Sequence, residues 1–210
     1  MATKLGLYNQ ALTEFLGERK LSALTDSRSA RRKLDTVYDN DFIDSILESG
    51  QWNFAMRTVL IDYDPSFSPD FGYQYVFDKP SDWIRTTGIS VDETFRNPLL
   101  RYDDETDYIY CDLQSIYFKY VSNGSTYGSD LTRWPKSVSD YAACELAARV
   151  APSITQNFGL QDKLEKISQK LLKKARSRDA LNQPTRSLPL SSWLRSRGGN
   201  YGSSERGGRL

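Results

Sequence analysis

Histidine is missing from the 210 residues of this chain. Because histidine is the commonest general base in enzymes and the commonest zinc ligand, its absence lowers the expectation of catalysis and of a zinc site. Cysteine is scarce, with Cys111 in an apparent strand and Cys144 in an apparent helix. In a chain made in a reducing cytosol, two such residues are expected to be buried free thiols rather than a disulfide. Their spacing fits no metal-binding motif.

Long apolar runs are also absent. No stretch approaches the roughly 20 apolar residues that a transmembrane helix needs, and the mean hydropathy is −0.59. The first residues, MATKLGLYNQ, lack the apolar centre and the cleavage site of a signal peptide. We therefore expect a soluble protein with no membrane partner, kept inside the cell that makes it.

The sequence lacks the glycine-rich phosphate loops and the nucleophile elbow that mark several large enzyme classes. Carboxylates are the ligands that hard cations prefer, and the best metal candidate is the acidic run of Asp103, Asp104, Glu105 and Asp107. Its spacing does not fit an EF-hand, so we interpret it as a polar hairpin turn between two strands. The prediction is a protein that is not an enzyme and needs no metal or cofactor. A metal-dependent hydrolase using this run is one alternative.

Charge is unevenly distributed, although the formal net charge is only +1. Residues 183–210 carry five arginines and one glutamate, a net +4, whereas residues 1–182 carry 23 basic and 26 acidic groups, a net −3. The body of the chain is therefore mildly acidic. It offers no broad phosphate-binding surface of the kind that non-specific DNA-binding proteins use.

Apolar residues recur at helical spacing in four stretches, 4–16, 27–49, 135–154 and 160–180. Lysines fill much of the fourth stretch outside its apolar stripe. We interpret that basic side as a solvated helix surface, with nucleic-acid contact as the alternative.

A block rich in tyrosine and β-branched residues separates the two helical halves, from about Phe54 to Val121. Its alternating pattern and its proline and glycine turn signals predict a small antiparallel β-domain of about five to seven strands. Aromatic side chains in strands usually fill a core, and an aromatic binding face is the alternative.

These segments predict an α+β protein: an antiparallel four-helix bundle with an inserted small antiparallel β-domain and an extended C-terminal arm. The two parts of the bundle are placed at 1–53 and 128–182, because the bundle needs both ends of the chain for its core. The β-domain is placed at 54–127 and the arm at 183–210.

The arm has 28 residues rich in Ser, Gly, Arg and Pro, with too little apolar surface to order itself. Fully extended, it would reach roughly 90–100 Å. Two arginine–glycine tracts, at Arg197 and Arg206, leave open a nucleic-acid-binding protein that uses an Arg/Gly-rich tail. An apolar island within the arm is what a docking segment requires: Leu188, Leu190, Trp193 and Leu194.

Residues 52–89 combine three short motifs: Trp-x-Phe-Ala-x-Arg, then Phe-Gly-Tyr-x-Tyr-x-Phe, then Pro-x-Asp-Trp followed by Arg. The positions are Trp52, Phe54, Ala55, Arg57, Phe71, Gly72, Tyr73, Tyr75, Phe77, Pro80, Asp82, Trp83 and Arg85. With the tyrosine-rich strands, the alanine-rich helix and the lysine-rich helix that follow, this combination resembles the tail tubular protein A family, the head-to-tail adaptors of short-tailed (podovirus-type) bacteriophages. The resemblance covers about 12–180, and the arm matches only in character.

The resemblance implies a structural virion protein at the head–tail junction, made in the cytoplasm of the host bacterium. Members of that family form a ring, usually a dodecamer, beneath the portal protein. The ring connects the portal to a tail nozzle similar to tail tubular protein B, and double-stranded DNA passes through its channel. Tail fibres are a further candidate partner.

The resemblance also implies that the C-terminal segment grips the portal. From the composition of the arm, we expect it to do so through apolar anchors and arginines: Arg186, Leu188, Leu190, Trp193, Leu194, Arg195 and Arg197. The motif residues are expected to determine the fold and not to catalyse. In this interpretation Gly72 lets the backbone turn, Pro80 and Asp82 shape a loop, and Trp83 fills a core.

Overall fold

The computed structural model describes residues 2–182. That part of the chain folds into five α-helices and two three-stranded antiparallel sheets. The helices are α1 (Lys4–Gln10), α2 (Ser29–Tyr38), α3 (Phe42–Glu48), α4 (Lys136–Thr155) and α5 (Phe158–Ala180). The strands are β1 (Met56–Asp62), β2 (Tyr75–Asp78), β3 (Trp83–Ser90), β4 (Asp103–Asp104), β5 (Tyr108–Cys111) and β6 (Ser115–Ser122).

The predicted four-helix bundle with an inserted β-domain is wrong. The expected second helix is broken after Tyr38, because Asp41 adopts the left-handed conformation with φ 51° just before α3. This yields five α-helices. Helix α3 has only seven residues, and α1 has seven but continues as a π-helix over Ala11–Phe15, so that helical backbone spans 4–15, close to the predicted 4–16. Helices that short cannot run along the whole length of α4 and α5, which have 20 and 23 residues.

The two long helices form an antiparallel hairpin. Gln156 ends α4 in the left-handed conformation, and the side chain of Asn157 caps α5 by accepting a hydrogen bond from Leu160 N at 3.1 Å. Helix α4 is buried on most sides, since its alanines let α1, α2 and α5 approach closely. No helix within residues 2–182 is long and apolar enough to cross a membrane.

The first sheet has the strand order β1–β6–β3 and packs on the helices. Strand β1 pairs with β6 from Met56↔Val121 to Asp62↔Ser115. Val121 belongs to the helical core, and Met56 and Ile84 pack against that core. The β-region is therefore built into the helical body and is not a separate insertion.

The second sheet has the strand order β2–β5–β4 and lies over the first. A small core fills the space between the two sheets, with Phe77 and Ile109 from the second and Phe118 and Tyr120 from the first. The six antiparallel strands agree with the predicted number, but the sequence pattern did not reveal their division into two sheets. Cys111 and Cys144 are buried free thiols, as predicted.

Candidate functional site

The carboxylate of Asp82 joins all three strands of the first sheet. It lies directly before β3 and accepts three hydrogen bonds, from Arg57 on β1 at 2.9 Å and from two β6 residues, Tyr120 at 2.9 Å and Ser122 at 2.5 Å. Partial burial acts to raise the pKa of Asp82, but these hydrogen bonds, first that from Ser122, hold the pKa below its usual value. The negative charge of Asp82 is therefore part of the folded structure.

Trp52 closes the turn between α3 and β1. Its ring is fully buried, and its indole N–H donates to the carbonyl of Ile46 at 2.9 Å. A Cβ at position 50 would lie 2.7 Å from the indole ring, so Gly50 is required by this close approach. Phe54 stacks on Trp52 and contacts Trp134 at a centroid distance of 5.8 Å, which ties the motif to the start of α4.

The end of α5 is fixed to this same turn. The backbone N–H of Asn53 donates to the Asp179 carboxylate at 3.0 Å, and the Asn53 side-chain amide donates to the Asp179 carbonyl at 2.7 Å. Asp179 is only 4% exposed, and this burial raises the pKa of its carboxyl group. Because the arm follows a few residues later, we call this pair of residues the arm root.

Two arginines meet the C-terminal end of α3. Arg176 of α5 donates to the carbonyl of Ser49 at 2.9 Å, and Arg85 of β3 donates to the carbonyl of Glu48 at 3.3 Å. The last carbonyls of a helix carry partial negative charge, so both contacts are favourable. Helix α5, β3 and α3 are thereby joined next to the arm root.

The acidic run forms a polar hairpin, as predicted from its composition. Asp103 and Asp104 make up β4, and Asp103 lies opposite Tyr110 of β5. The ammonium group of Lys79, whose side chain is 5% exposed, lies 2.5 Å from the Asp104 carboxylate and 3.7 Å from the centroid of the Trp83 ring. Across residues 2–182, no group of three Cys, Asp or Glu side chains is arranged to hold a metal ion.

The other motif residues are divided between core and surface. Phe77 is buried between the sheets and Trp83 is partly buried there, whereas Phe71 is 42% exposed. Pro80 shapes a turn, since its carbonyl accepts from Trp83 N at 3.0 Å. The geometry does not require glycine at position 72, because its φ is not left-handed and a Cβ there would meet no atom within 4 Å.

Sequence reasoning did not find Asn53, Tyr120, Ser122 or Asp179. One signal was available for Asp179, because it continues the buried stripe of α5 four positions after Ala175. An acidic residue at a buried helical position indicates a specific partner. The predicted portal-docking residues lie outside the described residues: Arg186, Leu188, Leu190, Trp193, Leu194, Arg195 and Arg197.

Comparison with protein-family models gives no match for this chain, and comparison with curated proteins gives none either. A functional assignment therefore depends on the motif residues and on their arrangement in the fold.

Proposed function

We propose that this chain is a structural virion protein, a head-to-tail adaptor subunit of a short-tailed bacteriophage. In this proposal it forms a ring that connects the portal to the tail nozzle and lets the genome pass through its channel. The observation that carries the proposal is the place of the motif residues in the fold. The buried Trp52 directly precedes Asn53 of the arm root, and the motif residues Arg57 and Asp82 pair at 2.9 Å in the first sheet.

A fixed arm root suits a docking function. A docking segment can position a large body only if it leaves that body from a defined point. The two hydrogen bonds between Asn53 and Asp179 supply such a point, and the contact of Arg176 with Ser49 reinforces it. These contacts support a body that would transmit the grip of the arm.

The arm has the composition expected of a portal anchor. A buried tryptophan at an interface can contribute 2 kcal/mol or more, and Trp193 lies within the apolar island of the arm. Arginines at 186, 195 and 197 would pair with acidic groups on the portal. Copies arranged in a ring would bind with avidity, because later arms dock at high effective concentration.

The charge of the body also fits a passage for DNA. A net charge of −3 over residues 1–182 would not hold phosphates strongly. A strongly basic lining would bind the genome and slow its ejection.

Electron microscopy of the purified full chain, alone and mixed with the portal protein of the same phage, tests the proposal. We expect rings on the portal, with or without rings of the free protein. Particles that never associate with the portal would refute the adaptor assignment.

The arm is tested by a matched pair of full-length variants, Trp193→Ala and Arg209→Ala. The first should weaken portal binding by at least about thirtyfold, the equivalent of 2 kcal/mol, and the second should have little effect. Equal losses in both would show that charge rather than the apolar anchor dominates.

A further inference from the structure

One side of α5 carries a row of lysines. Lys163, Lys166, Lys170 and Lys173 lie three or four positions apart and form a lysine stripe about 15 Å long. All four are exposed, and within residues 2–182 none has a carboxylate at ion-pair distance. Like charges at this spacing repel each other and weaken a helix. An acidic partner would remove that repulsion.

The lysine stripe lies on the side of α5 that points away from α4. The buried residues of α5, among them Leu164 and Ala175, face the hairpin partner instead. Ile167 lies beside the stripe and is 41% exposed. The outward side of α5 therefore combines four unpaired cations with an exposed apolar side chain.

The outer side of the second sheet has the opposite charge. Phe67 is 55% exposed, and its ring centroid lies 5.4 Å from that of Tyr108. Phe71 is 42% exposed, and its ring centroid lies 4.8 Å from that of Tyr110. We call this cluster the acidic aromatic face, because exposed carboxylates belong to the same loop and hairpin: Asp70, Asp103, Glu105 and Asp107. Tyr110 lies close to one of these carboxylates: burial, and then the negative charge of Glu105, raise the pKa of its hydroxyl group.

The β-region and the helical region that follows it in the chain carry opposite net charges. Residues 57–127 hold 12 acidic and 6 basic side chains, a net −6, whereas residues 128–182 hold 10 basic and 6 acidic side chains, a net +4. In the described part of the chain, no hydrogen bond or ion pair links α5 to the second sheet. The lysine stripe and the acidic aromatic face therefore do not neutralise each other within one copy.

We propose that the lysine stripe of one copy docks on the acidic aromatic face of a second copy. This inference rests on the adaptor ring proposed above and names the surfaces that would form it. The contact joins two different faces, so it is head-to-tail and can close into a ring. Lysine stems would cover the aromatic rings while their ammonium groups meet the surrounding carboxylates. This arrangement has the apolar centre and charged rim of known interfaces.

Charge reversal in two separate variants provides the test. Lys166→Glu/Lys170→Glu reverses the stripe, and Asp70→Lys/Asp103→Lys reverses the opposite face. Sedimentation velocity of the full chain at low salt should show assemblies for the wild type. Each variant alone should associate at least tenfold more weakly, whereas an equimolar mixture should assemble, because each contact then again joins opposite charges.

A matched control, Arg19→Glu/Lys20→Glu, changes net charge by the same amount as the stripe variant, at exposed positions between α1 and α2 that belong to neither face. It should assemble like the wild type, and 1 M salt should weaken assembly of both, since the Debye length falls to about 3 Å.

Three outcomes would overturn the contact: a wild type that stays monomeric, a stripe variant that assembles normally, or a mixture that does not recover. A stripe variant that assembles normally but loses binding to a DNA duplex would assign the lysines to nucleic acid. Rings of the stripe variant seen on the portal by electron microscopy would preserve the adaptor function while refuting this interface.

Discussion

The two sheets differ in how they are held. The first sheet shares its core with the helices through Val121 and is joined across its strands by Asp82. Among the described residues, the second sheet shares no core with the helices and is held by the small inter-sheet core and by polar contacts such as the ion pair between Lys79 and Asp104. A strand that contributes to a large core unfolds only with the whole domain, whereas a small satellite sheet can open by itself. The comparison therefore predicts global effects from the first region and local effects from the second.

The largest effect is expected at the turn that binds the first sheet to the helices. Trp52→Ala removes a fully buried indole and should lower the free energy of unfolding by about 3–5 kcal/mol. Urea denaturation measures this change. Phe71→Ala is the matched aromatic control in the second region, and it should cost far less because Phe71 is 42% exposed. Equal costs would remove the distinction between the two regions.

A smaller global effect is expected from Asp82→Ala, which leaves Tyr120 and Ser122 without their acceptor. The change should cost about 2–3 kcal/mol at pH 7. The folded-state pKa of Asp82 is lowered, so its stabilisation is present above the unfolded pKa of about 4 and is lost as the pH falls further. Denaturation curves should therefore converge for variant and wild type in acid. A cost that is independent of pH would show that charge at this position is unimportant.

Lys79→Met should act locally on the second sheet. It removes the partner of Asp104 and the donor to the carbonyls of Glu105 and Thr106. Amide hydrogen exchange in β4 and β5 should become about tenfold faster, equivalent to about 1.4 kcal/mol. Exchange in β1 and β6 should be unchanged. Faster exchange in all four strands would mean that the sheets open together.

The smallest effect, with the opposite sign, is expected at the arm root. Asp179→Asn keeps an oxygen acceptor for the Asn53 N–H and removes a buried charge. Because burial raises the folded-state pKa of Asp179, ionisation reduces stability as the pH rises through that pKa. The variant should be more stable by about 0.5–1 kcal/mol at pH 7 and similar to the wild type near pH 4. Thermal denaturation at both pH values checks this, and a destabilised variant at pH 7 would contradict it.

The sequence pattern predicted local features well and long-range ones poorly. Helix α5 buries one side along its 23 residues, and α4 has 20 residues that are mostly apolar or small, so both are long enough to be recognised from the sequence. The break before α3 depends on one residue, Asp41, whose left-handed backbone leaves no periodic signal. The pairing of β1 with β6 joins residues about 60 positions apart, and alternation within a strand does not specify its partner.

The candidate site shows the same limit. The motif residues Arg57 and Asp82 were selected from the sequence, but their hydrogen bond and the roles of Tyr120 and Ser122 depend on the fold. For Gly72 the sequence motif predicted too much. A glycine in a motif suggests a backbone turn that only glycine can make, but the conformation at position 72 does not require glycine. The buried position of Asp179 could have been predicted from the sequence, because it continues the apolar stripe of α5.

The arm root also defines a route for mechanical load. A pull on the chain beyond Asn182 would reach Asp179 and pass through two hydrogen bonds to Asn53, three residues before β1 begins. Strand β1 is paired with β6 along its whole length, so the force would be spread over many rungs of the ladder and over the α4–α5 packing. Tension on this C-terminal end would thus be distributed across the body, and no single helix would be peeled away alone.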